Sequence, residues 1–346
     1  MTVVDVHTHL APLLADAAER VIDGEKVGPP SLFSRDALLD YLDTAGIDMA
    51  LVSVPPPFYR QNRGAPNRAD NDGADQNGAD QNGADQNGAD RDRADAAAWA
   101  KTVNDGLLAR LDSHPRLRAL AYLPLEDPDA AVAEFDRLAA HPGEFAGFVG
   151  SAGGSSVSLA APGLDPLWAA LDSARALLFL HPGHSHDHRL DEFYLNNLLG
   201  NPVETGVAVA QLVFGEVPAR FPGIRFVLAH GGGVVPSVVG RWEQGLRTTR
   251  PGVNPAMEAP RASVARLFAD SLTYDLAGPL TTGPLATGPD APAFRAAEAV
   301  FGPDRMLLGS DWPFPMGSTD SLADLPADAV ERVSSTNAKA LWEPGS

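Results

Sequence analysis

Cysteine is absent from this chain of 346 residues. Its absence excludes disulfides, thiolate metal ligands and a thiol nucleophile, so any metal must be held by histidine and carboxylate. No apolar stretch approaches the ~20 residues of a membrane span. The N-terminus has no basic segment of the signal-peptide kind, and a cytoplasmic setting is the expectation. Basic charge is scarce: 26 Lys and Arg stand against 45 Asp and Glu, for a net charge of -19. Nucleic acid and anionic membranes are thereby disfavoured as partners, and the acidity is read as serving solubility.

What is present is a 44% hydrophobic content, enough for a large core, at a length that suits one barrel with insertions. Eight short apolar runs read as strands, over residues 3–9, 49–54, 118–123, 145–150, 176–181, 225–230, 272–276 and 306–310. Segments of helical spacing fall between most of them, at 34–45, 94–111, 129–140 and 165–174. Strand alternating with helix eight times is the sequence form of a (β/α)8 barrel, expected here as a single domain over 1–346.

One stretch departs from this pattern. Residues 73–90 hold three copies of Gly-Ala-Asp-Gln-Asn followed by Gly-Ala-Asp. A period of five matches neither helix nor strand, and nothing larger than Ala is apolar, so ordering entropy is not offset by burial. Residues 64–93 are therefore expected to be a flexible surface insertion without a catalytic role. The Pro- and Gly-rich segment 278–292 is a second long loop, placed to roof a site.

The chemistry gathers at the ends of the apolar runs. The first run closes on Asp5-Val6-His7-Thr8-His9, and in an extended strand His7 and His9 share one face about 7 Å apart. His181, His230 and Asp311 each end or follow a later run, and each is followed by Pro, Gly or Trp-Pro. In a parallel barrel these positions converge at one end. Neutral imidazole and carboxylate suit one divalent ion, Zn²⁺ or alternatively Mn²⁺, and need no organic cofactor. Such an ion lowers the pKa of a coordinated water toward ~7, and a neighbouring histidine can shuttle the proton.

Taken together, these residues resemble the amidohydrolase superfamily. Ala229-His230-Gly231-Gly232-Gly233, Leu308-Gly309-Ser310-Asp311-Trp312-Pro313-Phe314-Pro315 and Asn201-Pro202-Val203-Glu204-Thr205 are similar to its decarboxylase branch, which includes aminocarboxymuconate-semialdehyde decarboxylase. Val103-Asn104-Asp105 and Leu123-Pro124-Leu125 fit the same branch. The resemblance implies His7, His9, His181 and Asp311 as metal ligands, with His230 moving the proton and Asp311 also taking part in catalysis. No Lys closes the fourth run, so the bridging lysine of two-metal members has no counterpart and a single metal is implied.

The implied reaction is non-oxidative decarboxylation of an aromatic or unsaturated carboxylic acid. Hydrolysis of a lactone, ester or amide by the same site is the alternative, and a barrel that binds without catalysis is disfavoured by the complete donor set. The resemblance also matches Arg241 to a substrate contact supplied by the neighbouring subunit, which makes a homodimer the expected unit. A second arginine of the branch has no clear match; Lys26 falls nearest its place, with Arg35 and Arg60 close by.

Other residues carry plainer readings. His184, His186 and His188 are expected in a solvated loop rather than at a second metal. Asp5 is expected to face away from the two histidines by strand alternation and to act structurally, or at most to support the donors from behind. Asp275 is expected to be structural or to support the mouth. Phe193 and Trp312 are candidate walls for a planar substrate. The three glycines after His230 are expected to permit close backbone approach rather than to bind phosphate.

Overall fold

The computed structural model describes residues 2–14, 21–22, 25–26, 28–59, 82–141, 143–153, 157–247, 292–339 and 341. Six parallel strands form one sheet in sequential order: β1 (Val4–His9), β2 (Met49–Ser53), β3 (Leu117–Tyr122), β4 (Phe145–Ser151), β5 (Leu177–His181) and β6 (Arg225–Leu228). Each is close to an apolar run read from the sequence. Continuous burial along them follows from a parallel sheet covered on both faces. The longer helices are α1 (Arg35–Ala45), α2 (Asn82–Leu111), α3 (Pro128–Ala139), α4 (Asp165–Ser173), α5 (Asn201–Phe214), α6 (Val235–Arg247) and α7 (Pro292–Phe301). No described helix is long and apolar enough to cross a membrane.

Local sequence sets the helix ends. Ser34 accepts a hydrogen bond from the Ala37 amide at the start of α1, and Gly46 ends that helix in the left-handed region at φ 70°. Asp127 caps α3 in the same way through the Ala130 amide. Along α1, Leu38, Tyr41, Leu42 and Ala45 recur at spacings of three and four and are buried in the core. Trp168 of α4 is fully buried, with its ring edge-on to Phe226 of β6.

The eighth expected strand is extended but does not pair as a regular ladder. Its segment instead runs parallel to β1: the Val6 amide donates to Leu308 O (2.9 Å), the Asp311 amide to His7 O (2.9 Å) and the His9 amide to Trp312 O (2.8 Å). This brings the C-terminal part of the chain beside its first strand, and the sheet curls as a TIM-barrel-like α/β fold. The seventh expected strand at 272–276, Asp275 and nearly all of the 278–292 loop lie outside the described residues.

α2 begins at Asn82, twelve residues before the expected start. It therefore takes in the last repeats, while 64–81 lie outside the described residues. The physical reason is helix cooperativity: once the packed half is formed, each added residue gains a hydrogen bond without a new nucleus. Further along α2, Asn104 joins helix to sheet. Its amide group donates to Tyr122 O (3.0 Å) and Glu134 (2.7 Å), and its carbonyl accepts from the Tyr122 amide (2.7 Å). The Val103-Asn104-Asp105 motif thus serves the fold through this clamp.

Candidate metal centre

Side chains from two strands and two connecting segments meet where the strands finish. His7 and His9 end β1, His181 ends β5, His230 follows β6 and Asp311 follows the segment beside β1. All five are buried. Donor atoms of His7, His181, His230 and Asp311 lie within 4.8 Å of one another. His9 joins them closely: its Nε2 is 3.1 Å from His7 Nε2 and 3.2 Å from Asp311 Oδ1, while His7 Nε2 is 3.3 Å from the same oxygen.

The hydrogen bonds at the far edges of the rings orient them. His181 Nδ1 lies 2.9 Å from Pro182 O, which calls for a proton on Nδ1 and leaves the lone pair on Nε2. That Nε2 is buried and has no hydrogen-bond partner. His9 Nδ1 meets Ser53 Oγ at 3.0 Å, so its Nε2 also turns its lone pair toward the cluster when the ring donates to the hydroxyl. Orphaned nitrogen beside converging lone pairs is costly unless a cation is shared among them. The donor set fits one divalent metal ion, as expected from the sequence.

Electrostatics favour the same protonation states. Burial pushes His7 down to about 4 and His181 well below its ordinary range, keeping both imidazoles neutral. Burial alone would raise Asp311, but the imidazoles of His7, His230 and His9 outweigh it and hold the carboxyl well below its usual range. Neutral imidazole with ionised carboxylate is the form that binds a metal.

Backbone geometry places the last two members. His230 and Asp311 both adopt left-handed φ, 54° and 57°, an uncommon conformation for non-glycine residues. Asp311 is held there through its amide on His7 O and its carbonyl on the Phe314 amide (3.0 Å). Behind His230, a Cβ at Gly233 would sit 2.3 Å from Pro202 O, and Gly233 has φ 62°. Close backbone approach is therefore what the glycine run provides, and it fixes His230 against the start of α5.

Several residues besides the expected donors prove relevant. Ser53 ends β2, one residue before the end of the second apolar run, and that position was its only signal. Phe179 packs against His7, Phe314 against His9 and Tyr59 against His181, with ring centroids 5.0, 5.3 and 6.4 Å apart. The Tyr194 hydroxyl is raised by burial and by the charge of Asp311. No spacing in the chain links Tyr194 to Asp311.

Other expected residues lie farther out. Trp312 is nearly buried and stacks on Tyr41, whereas Phe193 is 81% exposed. Arg241 lies on the exposed side of α6, and Lys26 is in a short hairpin formed by Val21–Ile22 and Glu25–Lys26. Arg35 pairs with Asp112 at 3.0 Å, and Arg60 is outside the described residues. His184, His186 and His188 are exposed in the loop after β5, in keeping with a solvated loop.

Asp5 needs a different account from the one the sequence suggested. Strict alternation would put residues 5, 7 and 9 on one face, not Asp5 on the opposite one. A register irregularity between Asp5 and Thr8 breaks the alternation. The carboxylate accepts the His7 and Ser310 amides and the Tyr41 hydroxyl. Its role is structural, as expected, but the bulge is the reason.

A family model described as amidohydrolase matches residues 4–343, and the chain belongs to that family. Among its relatives, 2-amino-3-carboxymuconate-6-semialdehyde decarboxylase of Dictyostelium discoideum is 29% identical over 64% of this chain and 58% of its own length. Gamma-resorcylate decarboxylase of Rhodococcus jostii is 29% identical over 62% of this chain and 66% of its own. Both matches span under two thirds of the relative. The fold resembles that of a dihydroxybenzoic acid decarboxylase from Polaromonas sp. JS666, solved with manganese and 2-nitroresorcinol: TM-score 0.67, 19% identity, covering 99% of this chain and 97% of that one.

Burial raises the Asp5 carboxyl from 3.8 to about 6, against the lowering effect of its hydrogen bonds. The folded state then binds this proton more tightly than the unfolded state. Its contribution to stability is full below pH ~4 and is lost as pH rises through ~6, on the order of 3 kcal/mol. Denaturant unfolding of metal-free wild type and Asp5→Asn at pH 4 and pH 7 measures this directly. The asparagine variant should gain on wild type by about that amount between the two pH values.

Proposed function

We propose that this protein is a metal-dependent, non-oxidative decarboxylase of an aromatic or unsaturated carboxylic acid. The observation that carries the reading is His230: a buried imidazole 3.9 Å from Asp311 Oδ2 whose Nδ1 has no hydrogen-bond partner. That nitrogen is left without a partner beside a donor cluster, in a chain whose relatives include two decarboxylases. Within this reading His7, His9, His181 and Asp311 hold the ion, and His230 is kept for proton transfer. When bound, a divalent ion supplies Lewis acidity and stabilises negative charge developing beside it. Zn²⁺ is the ion proposed, with Mn²⁺ as the alternative favoured by the manganese-bound structural relative.

The chain's own groups then divide the work. His230 delivers a proton to the ring or alkene carbon that bears the carboxylate, and the C–C bond breaks with its electron pair remaining on that carbon as CO₂ leaves. Asp311, held ionised, lies 3.9 Å from His230 Nε2. Phe179, Phe314 and Tyr59 surround the imidazoles with apolar surface and limit water. Trp312 and Phe193 are proposed as walls for the planar acid, and Lys26 as the cation for its second carboxylate or oxygen substituent. The engagement of Arg35 with Asp112 favours Lys26 for that part.

A homodimer with Arg241 reaching the neighbouring site is part of the same proposal. It is supported by an exposed apolar strip of Phe193, Tyr194, Leu198, Leu199, Val203 and Val207, running from the loop after β5 onto α5. A complete (β/α)8 barrel in one domain, with 64–93 as an insertion, is part of the same proposal. A cytoplasmic location goes with this reading.

His7→Ala should lose both bound metal and turnover, whereas His230→Ala should retain metal while turnover falls by about 10²-fold or more. Metal content by mass spectrometry alongside CO₂ release separates the two, and a His230 variant stripped of metal overturns the division of roles. Metal-loaded protein offered aromatic and muconate-type acids should release CO₂ from at least one. Turnover of lactones with CO₂ from none of the acids would favour hydrolysis instead. Arg241→Ala should raise KM, and mixed dimers with His7→Ala should recover part of the activity; verified heterodimers without recovery exclude a shared site.

A further inference from the structure

Behind the donor cluster lies a buried carboxylate that the proposed chemistry does not use. Asp5 is fully buried two residues before His7. Its Oδ1 accepts the His7 amide at 3.0 Å and the Ser310 amide at 3.2 Å. These amides belong to different parts of the chain, one on a metal-ligand candidate and the other immediately before Asp311. One oxygen atom thus ties β1 to the segment that carries the carboxylate donor.

Its second oxygen is tied as well. Tyr41 of α1 donates its hydroxyl to Asp5 Oδ2 at 3.3 Å and meets Ser321 Oγ at 3.2 Å. The Tyr41 ring stacks on Trp312 at 5.8 Å with 20° between planes. The Trp312 amide donates to Ser310 Oγ at 3.1 Å, and its carbonyl accepts the His9 amide at 2.8 Å. Asp5 and Tyr41 together therefore touch His7 and the residues on both sides of Asp311.

Packing alone is a poor reason for this arrangement. Among the described residues no ion pair involves Asp5, and an unpaired buried carboxylate costs several kcal/mol that an apolar side chain of similar size avoids. What a carboxylate adds is a rigid acceptor able to hold two amides at one point. The spacing of His7 and Asp311 depends on that point, and a metal site tolerates little error in donor spacing.

We propose that Asp5, oriented by Tyr41, is a positioning residue that sets His7 and Asp311 at the separation one metal ion requires. The inference rests on reading the cluster as a metal centre. Removing partners of this kind from metal sites weakens affinity by about 10–100-fold. Asparagine should preserve most of the effect, since its Oδ1 still accepts both amides while its amide group can donate to Tyr41.

The test is Zn²⁺ affinity, measured by competition with a chromophoric chelator on wild type, Asp5→Ala, Asp5→Asn and Tyr41→Phe, with metal-free Tm recorded for each. Asp5→Ala should bind Zn²⁺ about 10–100-fold more weakly while folded. Asp5→Asn should stay within a factor of a few of wild type, and Tyr41→Phe should weaken several-fold. A lowered Tm with unchanged Zn²⁺ affinity in the folded variants overturns the proposal in favour of packing. If Asp5→Ala does not fold, Tyr41→Phe decides, and wild-type affinity there overturns it equally. Wild-type protein that binds neither Zn²⁺ nor Mn²⁺ removes the metal reading and this inference together, whereas tight wild-type binding matched by every variant removes the inference alone.

Discussion

The structure turns on one electrostatic constraint: four imidazoles and a carboxylate are buried together with their free atoms facing inward. Two ring nitrogens 3.1 Å apart, both within 3.3 Å of one carboxylate oxygen, form a stable group when a cation shares their lone pairs. The surroundings prepare that state rather than oppose it. Pro182 O and Ser53 Oγ engage the outer nitrogens of His181 and His9, and burial keeps His7 and His181 neutral. The Asp311 carboxyl is held ionised beside them.

The fold serves this constraint by bringing the chain's two ends together. β1 supplies two histidines, and its backbone hydrogen-bonds along the segment that leads into Asp311. The join is made through main-chain bonds, and the Ser310 hydroxyl adds a contact to His7 O at 3.5 Å. The left-handed turns at His230 and Asp311 then aim both side chains back over the strand ends. Gly233 lets the chain behind His230 pass against Pro202, so that α5 and the His230 turn form one packed corner.

Motifs with the strongest family resemblance divide into two kinds. His7, His9, His181, His230 and Asp311 meet at the centre. Asn104 and Glu204 instead hold the frame: Asn104 fastens α2 to β3, and Glu204 accepts the Ser185 hydroxyl at 2.7 Å in the loop after β5. Such residues are as recognisable in the sequence as the donors are.

The donors and the strand framework were legible in the sequence for a simple reason. A buried parallel strand must be apolar throughout, so a polar residue at its end stands out, and five such residues in a chain without cysteine define a histidine–carboxylate centre. The same logic located six strands within a few residues, and α1, α3 and α4 within one residue at each end. Linear spacing carried no information about what lies across the sheet. It did not show that a bulge takes Asp5 out of alternation, that Ser53 orients His9, or that Tyr194 feels the charge of Asp311. Nor did it show that α2 continues back to Asn82, since helix propagation depends on a packed half elsewhere. Residue identity and order determined which groups are available for the chemistry; only the tertiary structure decided which of them meet, because convergence depends on strand register and backbone turns that join positions some three hundred residues apart.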